Sequence, residues 1–217
     1  MGNIATGKHE LRQPRRRSIR LKEYDYSEPG AYFVTICVKG RTCALAAVRN
    51  GNVKLSQVGH IVSKCWVDIP NHFPSVDLDA FVIMPNHLHG IVVLEDCRGV
   101  QLNAPTLRSV ASRAKIHPDS HSLISPKRNT LSLIIRTFKA AVTRQCRQDG
   151  HHHFAWQRNY YEHIIRNQDK LNRIREYILY NPVHWDSDRE NPERIPDNRY
   201  NNQWGDVFET VYGRTEQ

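Results

Sequence analysis

Residues 78–94, Leu-Asp-Ala-Phe-Val-Ile-Met-Pro-Asn-His-Leu-His-Gly-Ile-Val-Val-Leu, constrain this chain more than any other stretch. Apolar and β-branched residues on either side of Pro85-Asn86 predict two strands joined near that dipeptide. In a strand, side chains at i and i+2 share a face, so His87 and His89 point the same way and Leu88 points to the other. One short element is thereby asked to carry an apolar side chain on one surface and two imidazoles on the opposite one.

The flanking elements give that hairpin its setting. Ala31-Tyr-Phe-Val-Thr-Ile-Cys-Val38 is a strong strand by composition. Asn50-Gly51, between Arg49 and Lys54, signals a small hairpin turn. Val58, Ile61, Val62, Cys65 and Trp66 recur at helical spacing between Leu55 and Trp66, and Pro70 is expected to stop that helix. A second helix is expected from about Leu131 to Cys146, with Leu131, Ile134, Ile135, Phe138 and Val142 on one side. Phe154 to Arg158 reads as a short strand. Asp169 to Leu179 reads as a third helix, capped by Asp169, with Leu171, Ile174 and Ile178 facing inward.

The order strand, helix, strand, strand, helix, strand is the split βαβ arrangement of a ferredoxin-like fold. The expectation is therefore α+β: an antiparallel sheet with helices on one face and a further helix added after it. Residues 1–22 read as a basic arm, 23–185 as the folded domain, about 95–129 as a long basic loop inserted in it, and 186–217 as a polar tail.

Charge narrows the function. The net charge is +9 over 217 residues, and it is concentrated. Lys8, Arg12, Arg15, Arg16, Arg17, Arg20 and Lys22 face one acid, Glu10; a second cluster runs from Arg98 to Arg147. Such clusters attract polyphosphate and release its counterions, which favours a nucleic-acid partner over an anionic membrane, because no amphipathic membrane helix accompanies them. No apolar run is long enough to span a bilayer, and the first residues lack a secretory signal. The five cysteines form no Cys-x-x-Cys pair, and Cys37, Cys65 and Cys146 fall on apolar faces, as reduced cytoplasmic cysteines do.

Two sets of residues carry chemistry. His87 and His89, as neutral imidazoles on rigid backbone, can grip a divalent ion and leave positions for water or substrate, although paired strand histidines are often structural. Tyr177 is a weak base but a competent covalent nucleophile when its target is polarised. Asn181 lies one helical turn further on and precedes Pro182, so its amide oxygen is free to reach a cation. Against this stands the plainer possibility that Tyr177 packs at the core edge and Asn181 caps a helix. His151-His152-His153 reads as a solvated loop, since adjacent residues cannot all face one ion. Tyr160 and Tyr161 are rival nucleophiles, or with Trp156 base-stacking groups interleaved with Arg158 and Arg166.

Taken together and in order, Ser18-Ile-Arg-Leu-Lys22, Tyr24-Asp-Tyr26, Gly30-Ala-Tyr-Phe-Val-Thr-Ile-Cys37, Met84-Pro-Asn-His-Leu-His-Gly90, Phe138-Lys139, Trp156-Gln-Arg-Asn-Tyr-Tyr-Glu-His-Ile-Ile-Arg166 and Tyr177-Ile-Leu-Tyr-Asn-Pro182 resemble the REP-associated tyrosine transposases of bacteria. These are relatives of the single-tyrosine HUH transposases (IS200-like), and the likeness covers roughly residues 18–185. The resemblance implies a ferredoxin-like HUH nuclease domain. It implies His87, His89 and Asn181 as ligands of Mg²⁺ or Mn²⁺, with Tyr177, on the added helix, as the nucleophile in preference to Tyr160 or Tyr161. It also implies cleavage and rejoining of single strands beside palindromic extragenic repeats folded as hairpins, through a 5′-phosphotyrosine. Arg15, Arg16, Arg17, Arg20, Lys22, Lys139 and Arg158 are then expected to contact DNA, in a cytoplasmic, nucleoid-associated monomer or homodimer. The departures from the family pattern are the basic stretch 95–129 and the tail after about 186. A hairpin-binding protein without catalysis, or a zinc-dependent hydrolase, are the alternatives.

Overall fold

Alternation along the two central strands gives the sheet two different buried faces, and helices cover both. The computed structural model describes residues 25–95 and 130–212, with side chains through Val207. Arg15, Arg16, Arg17, Arg20 and Lys22, and nearly all of the loop expected at 95–129, lie outside the described residues.

The elements run as β1 (Gly30–Cys37), a 3-10 turn (Lys39–Arg41), β2 (Ala46–Arg49), β3 (Asn52–Leu55), α1 (Gln57–Val67) and the single turn α2 (Ile69–His72). β4 (Val76–Ile83), β5 (His87–Leu94), α3 (Leu131–Gln148), β6 (Tyr161–Ile165) and α4 (Gln168–Tyr180) follow. A 3-10 stretch (Asn181–Ser187) and α5 (Asn198–Tyr212) complete the described elements. The main sheet has the order β4-β5-β1-β6, with every pairing antiparallel. That is the strand order of a ferredoxin-like split βαβ unit, with β2 and β3 forming a separate hairpin before α1. Asn50 and Gly51 both adopt positive φ in its turn, the backbone that such a tight hairpin requires.

Tyr32, Val34 and Ile36 of β1, with Leu88 and Val92 of β5, pack against Val58, Val62 and Trp66 of α1 and Ile134, Ile135, Phe138 and Val142 of α3. Phe33, Ile91 and Ile165 face the other way, onto Leu171, Ile174, Tyr177 and Ile178 of α4 and Tyr200, Trp204 and Val207 of α5. Helices on one face were expected from the split βαβ order alone. The added helices close the second face because it too is apolar, and an exposed apolar sheet face is not stable in water.

Four local expectations are corrected. The chain from 186 onward is not polar throughout: α5 buries Tyr200, Trp204 and Val207, so it is an amphipathic helix whose few apolar residues share one side. Trp156 makes only an isolated bridge to Val38, and the edge strand is Tyr161–Ile165. Phe154 and Trp156 instead pack edge to face, with centroids 5.1 Å apart, filling space beside Phe138. The cap of α4 is Asn167, whose side chain accepts from the backbone N–H of Lys170 at 2.9 Å, while Asp169 sits in the first turn. Pro70 does not simply stop a helix; it lies in the first turn of α2, where a missing N–H costs nothing.

Candidate active site

His87 and His89 enter the site on the rigid middle of the sheet, paired across to Cys37 and Thr35 of β1. Each ring is held from behind. Asn86 Oδ1 lies 2.8 Å from His87 Nδ1, and Thr35 Oγ1 lies 2.8 Å from His89 Nδ1. Phe33 stacks on His89 with ring centroids 5.3 Å apart. The two free edges then meet, with His87 Nε2 and His89 Nε2 3.0 Å apart. Both rings are buried. Burial pushes His87 down to about 4, with Glu190 opposing the shift and Arg41 adding to it. Burial, reinforced by His87, holds His89 well below the ordinary histidine range. Both rings are therefore neutral at pH 7, the form that binds metal ions.

Tyr177 comes to the same point from α4. The sequence set it to one side of the Leu171/Ile174/Ile178 stripe; it lies within that buried cluster, only 2% exposed. Its hydroxyl reaches across to His89 Nε2 at 3.3 Å. Trp204 of α5 packs edge-on against the ring at 5.5 Å, and Tyr200 of the same helix is buried in the same cluster. Tyr160 and Tyr161 make no such approach to His89 among the described hydrogen bonds.

Asn181 is buried where α4 passes into the 3-10 stretch. Its Nδ2 donates to Asp188 Oδ2 at 3.0 Å, and its Oδ1 is buried with no hydrogen-bond partner. Asp188 is a residue that sequence reasoning missed. Its carboxylate joins His87 and His89 in a cluster whose ligand atoms all lie within 4.8 Å of one another, the one such cluster among the described residues. The backbone N–H of Glu190 donates to Asp188 Oδ1 at 2.6 Å. Burial raises the Asp188 carboxyl, while this N–H and the Asn181 amide lower it. No sequence signal separated Asp188 from its exposed neighbour Asp186, because only the fold turns one of them inward.

The remaining candidates sit elsewhere. Lys139 donates from Nζ to the carbonyls of Gln157 and Asn159 at 2.7 and 3.0 Å, and burial lowers it to about 8. It braces the turn on which Arg158 stands exposed. His152 and His153 are exposed, and the 151–153 tract joins no metal-type cluster among the described residues.

No family model matches the chain. An uncharacterized protein of Haemophilus influenzae (strain Rd) is 43% identical over 175 residues, covering 80% of this chain and 92% of that protein. A second protein of the same organism, named "Putative REP-associated tyrosine transposase", is 22% identical over 165 residues, 73% of each chain. A solved structure of a REP-associated tyrosine transposase bound to a REP hairpin is 20% identical, with a TM-score of 0.47, over 76% of this chain and 72% of that one. The motif series, in order along the sequence, is similar to that of the REP-associated tyrosine transposases, and the chain matches the uncharacterized Haemophilus influenzae protein over most of its length.

Proposed function

We propose that this chain is a metal-dependent tyrosine endonuclease and strand transferase acting on single-stranded or hairpin DNA, with Tyr177 as its nucleophile. The observation that carries this reading is the 3.3 Å approach of Tyr177 Oη to a neutral imidazole pair. A transposase-like DNA-binding role accords with the name of the 22% identical relative and with the +9 charge.

The donor set fits a divalent cation. His87 Nε2, His89 Nε2 and the Asp188 carboxylate converge, and the buried Asn181 Oδ1 has no other partner. Asn181, expected as the third ligand, is joined to this cluster by the hydrogen bond that its Nδ2 donates to Asp188. Mixed oxygen and imidazole donors suit Mn²⁺ or Mg²⁺, with imidazole favouring Mn²⁺. When bound, such an ion withdraws charge from a phosphate oxygen.

The protein's own residues then do the following. Thr35 and Asn86 hold the imidazoles from behind. The Tyr177 oxygen attacks phosphorus, a new P–O bond forms and the P–O3′ bond breaks. The products are a 5′-phosphotyrosine and a free 3′-hydroxyl, which takes up the proton that the phenol gives up. Reversal rejoins the strand without ATP, because the phosphoryl link is kept. In this reading the nuclease domain, expected at 23–185, extends past 185 to take in Asp188 and α5. Arg15, Arg16, Arg17, Arg20 and Lys22 hold the hairpin stem through phosphates. Arg158 adds a further contact from the turn that Lys139 braces. No helix among the described residues is long and apolar enough to cross a membrane, and we place the protein with DNA in the cytoplasm.

A second reading, hairpin binding without cleavage, is favoured by one fact: Tyr177 is almost fully buried beneath Trp204. For cleavage, α5 must shift. The test is incubation of the full chain with an end-labelled hairpin oligonucleotide and Mn²⁺. A covalent protein–DNA adduct that is lost in Tyr177→Phe and in His87→Ala supports the endonuclease. Salt-sensitive binding with no adduct would establish the binder, and Zn²⁺-dependent cleavage surviving Tyr177→Phe would establish a hydrolase.

A further inference from the structure

Asn86 stands beside the histidine pair, and its amide has one orientation. Its Nδ2 lies 2.6 Å from the carbonyl oxygen of Glu190 and 3.1 Å from that of Arg41. Both partners only accept, so the NH₂ end of the amide must face them; the reverse orientation would press Oδ1 against two carbonyl oxygens. Oδ1 is left facing His87 Nδ1 at 2.8 Å. Oδ1 can only accept, so Nδ1 carries the hydrogen. A neutral imidazole has a single N–H, and Nε2 of His87 is therefore a bare lone pair.

We propose that Asn86 is a positioning residue: it fixes His87 in the Nδ1–H tautomer, aiming Nε2 at the cation site, and its other arm fastens the 188–190 segment that brings Asp188 there. This rests on the metal reading of the site given above. The two histidines differ in this respect. His89 is backed by the Thr35 hydroxyl, which can donate or accept, so His89 can change tautomer. In the cation-free chain His89 Nε2–H donates to the His87 Nε2 lone pair 3.0 Å away. When a cation binds, the His89 hydrogen moves to Nδ1 and Thr35 turns to accept it. His87 does not change. Groups behind a metal-ligating histidine commonly set its tautomer and basicity, and their loss weakens metal binding.

The experiment uses the full chain labelled with ¹⁵N-histidine and freed of metal by a chelator. Two-bond ¹H–¹⁵N correlations identify the tautomer of each ring, and Mn²⁺ affinity is read from the EPR signal of the free ion. The wild type is expected to show His87 as Nδ1–H with and without Mg²⁺, the diamagnetic ion used for the NMR measurement, and His89 changing from Nε2–H to Nδ1–H as Mg²⁺ binds. Asn86→Ala is expected to release the His87 tautomer and weaken Mn²⁺ binding about 10- to 100-fold. Asn86→Asp keeps an acceptor behind Nδ1 but sets its other oxygen against the Arg41 and Glu190 carbonyls, so a folded Asn86→Asp is expected to keep the wild-type His87 pattern while losing Mn²⁺ affinity as the 188–190 segment is released. A metal-free wild type with His87 as Nε2–H would overturn the proposal, and needs no variant to fold. So would a folded Asn86→Ala with tautomer and affinity unchanged. Mn²⁺ binding by His87→Ala as tight as the wild type's would defeat the metal reading instead, a result distinct from either tautomer outcome.

Discussion

The two faces of the main sheet are built by the same strands and do opposite work. On the α1/α3 face, Val34, Ile36, Leu88 and Val92 join one apolar cluster. One residue along each strand, Thr35, Cys37, His87 and His89 face α4, α5 and the 188–190 segment, where nearly every buried polar side chain of the described residues is gathered. Buried polar groups are costly unless they are hydrogen-bonded, so this second face stands only because each imidazole has a partner at 2.8 Å behind it. The first face contributes the stability that allows the second to hold lone pairs and a buried carboxylate close together. Leu88, between the two histidines, belongs to the first face; His87 and His89 belong to the second.

That division can be tested by changing one face at a time. The largest effect is expected from Tyr177→Phe: adduct formation on a hairpin oligonucleotide should fall about a thousandfold or more, while thermal unfolding hardly moves, since the ring stays in its cluster. A Tyr177→Phe protein that still forms the adduct would remove catalysis from this face. The reverse pattern is expected from Leu88→Ala on the opposite surface: a loss of about 2–5 kcal/mol in denaturant unfolding, with Mn²⁺ affinity of the folded chain unchanged.

Gly90 sharpens the same contrast. A Cβ there would lie 2.4 Å from the Trp66 ring, so Gly90→Ala should cost about 1–3 kcal/mol through overpacking of the apolar face. Equal losses of Mn²⁺ affinity in Leu88→Ala and Tyr177→Phe would show that the faces are not separable.

Acid should act on the polar face first. His87 falls from 6.5 in the unfolded chain to about 4 in the folded one, so between those pH values the unfolded chain binds the extra proton. Stability fully present above 6.5 is therefore lost as pH falls toward 4, by on the order of 3 kcal/mol for His87, and Mn²⁺ binding is lost over the same range. Urea midpoints at a series of pH values measure the first and EPR titration the second; a flat profile would mean that the folded imidazoles take up protons as readily as the unfolded ones. The smallest effect is expected from Trp204→Leu, which thins the cover over Tyr177: a several-fold faster adduct, where an unchanged rate would mean that α5 does not limit access.

Much of this was legible in the chain before its fold was known. The element order gave a ferredoxin-like sheet, the i, i+2 spacing put both imidazoles on one face, and Asn50-Gly51 marked its hairpin. The helix rows of α1 and α3 followed from spacing as well. Phe154 and Trp156 were misread because aromatic residues favour strands and cores alike, and only packing beside Phe138 decided between them. The last helix was hidden because Tyr200, Trp204 and Val207 are a thin apolar row among Asn, Asp and Arg.

The sequence by itself determined the periodicities: which residues share a face of a strand or a side of a helix, and so that His87 goes with His89 and Leu88 does not. Those relations are local and follow from backbone geometry. The tertiary structure alone decided that Tyr177 meets His89, that Asp188 rather than Asp186 turns into the cluster, and that Asn86 is gripped by the carbonyls of Arg41 and Glu190. These groups lie far apart along the chain, and no repeat or spacing links them. They meet because burying the second apolar face of the sheet draws α4, α5 and the segment between them across the strand that holds the histidines.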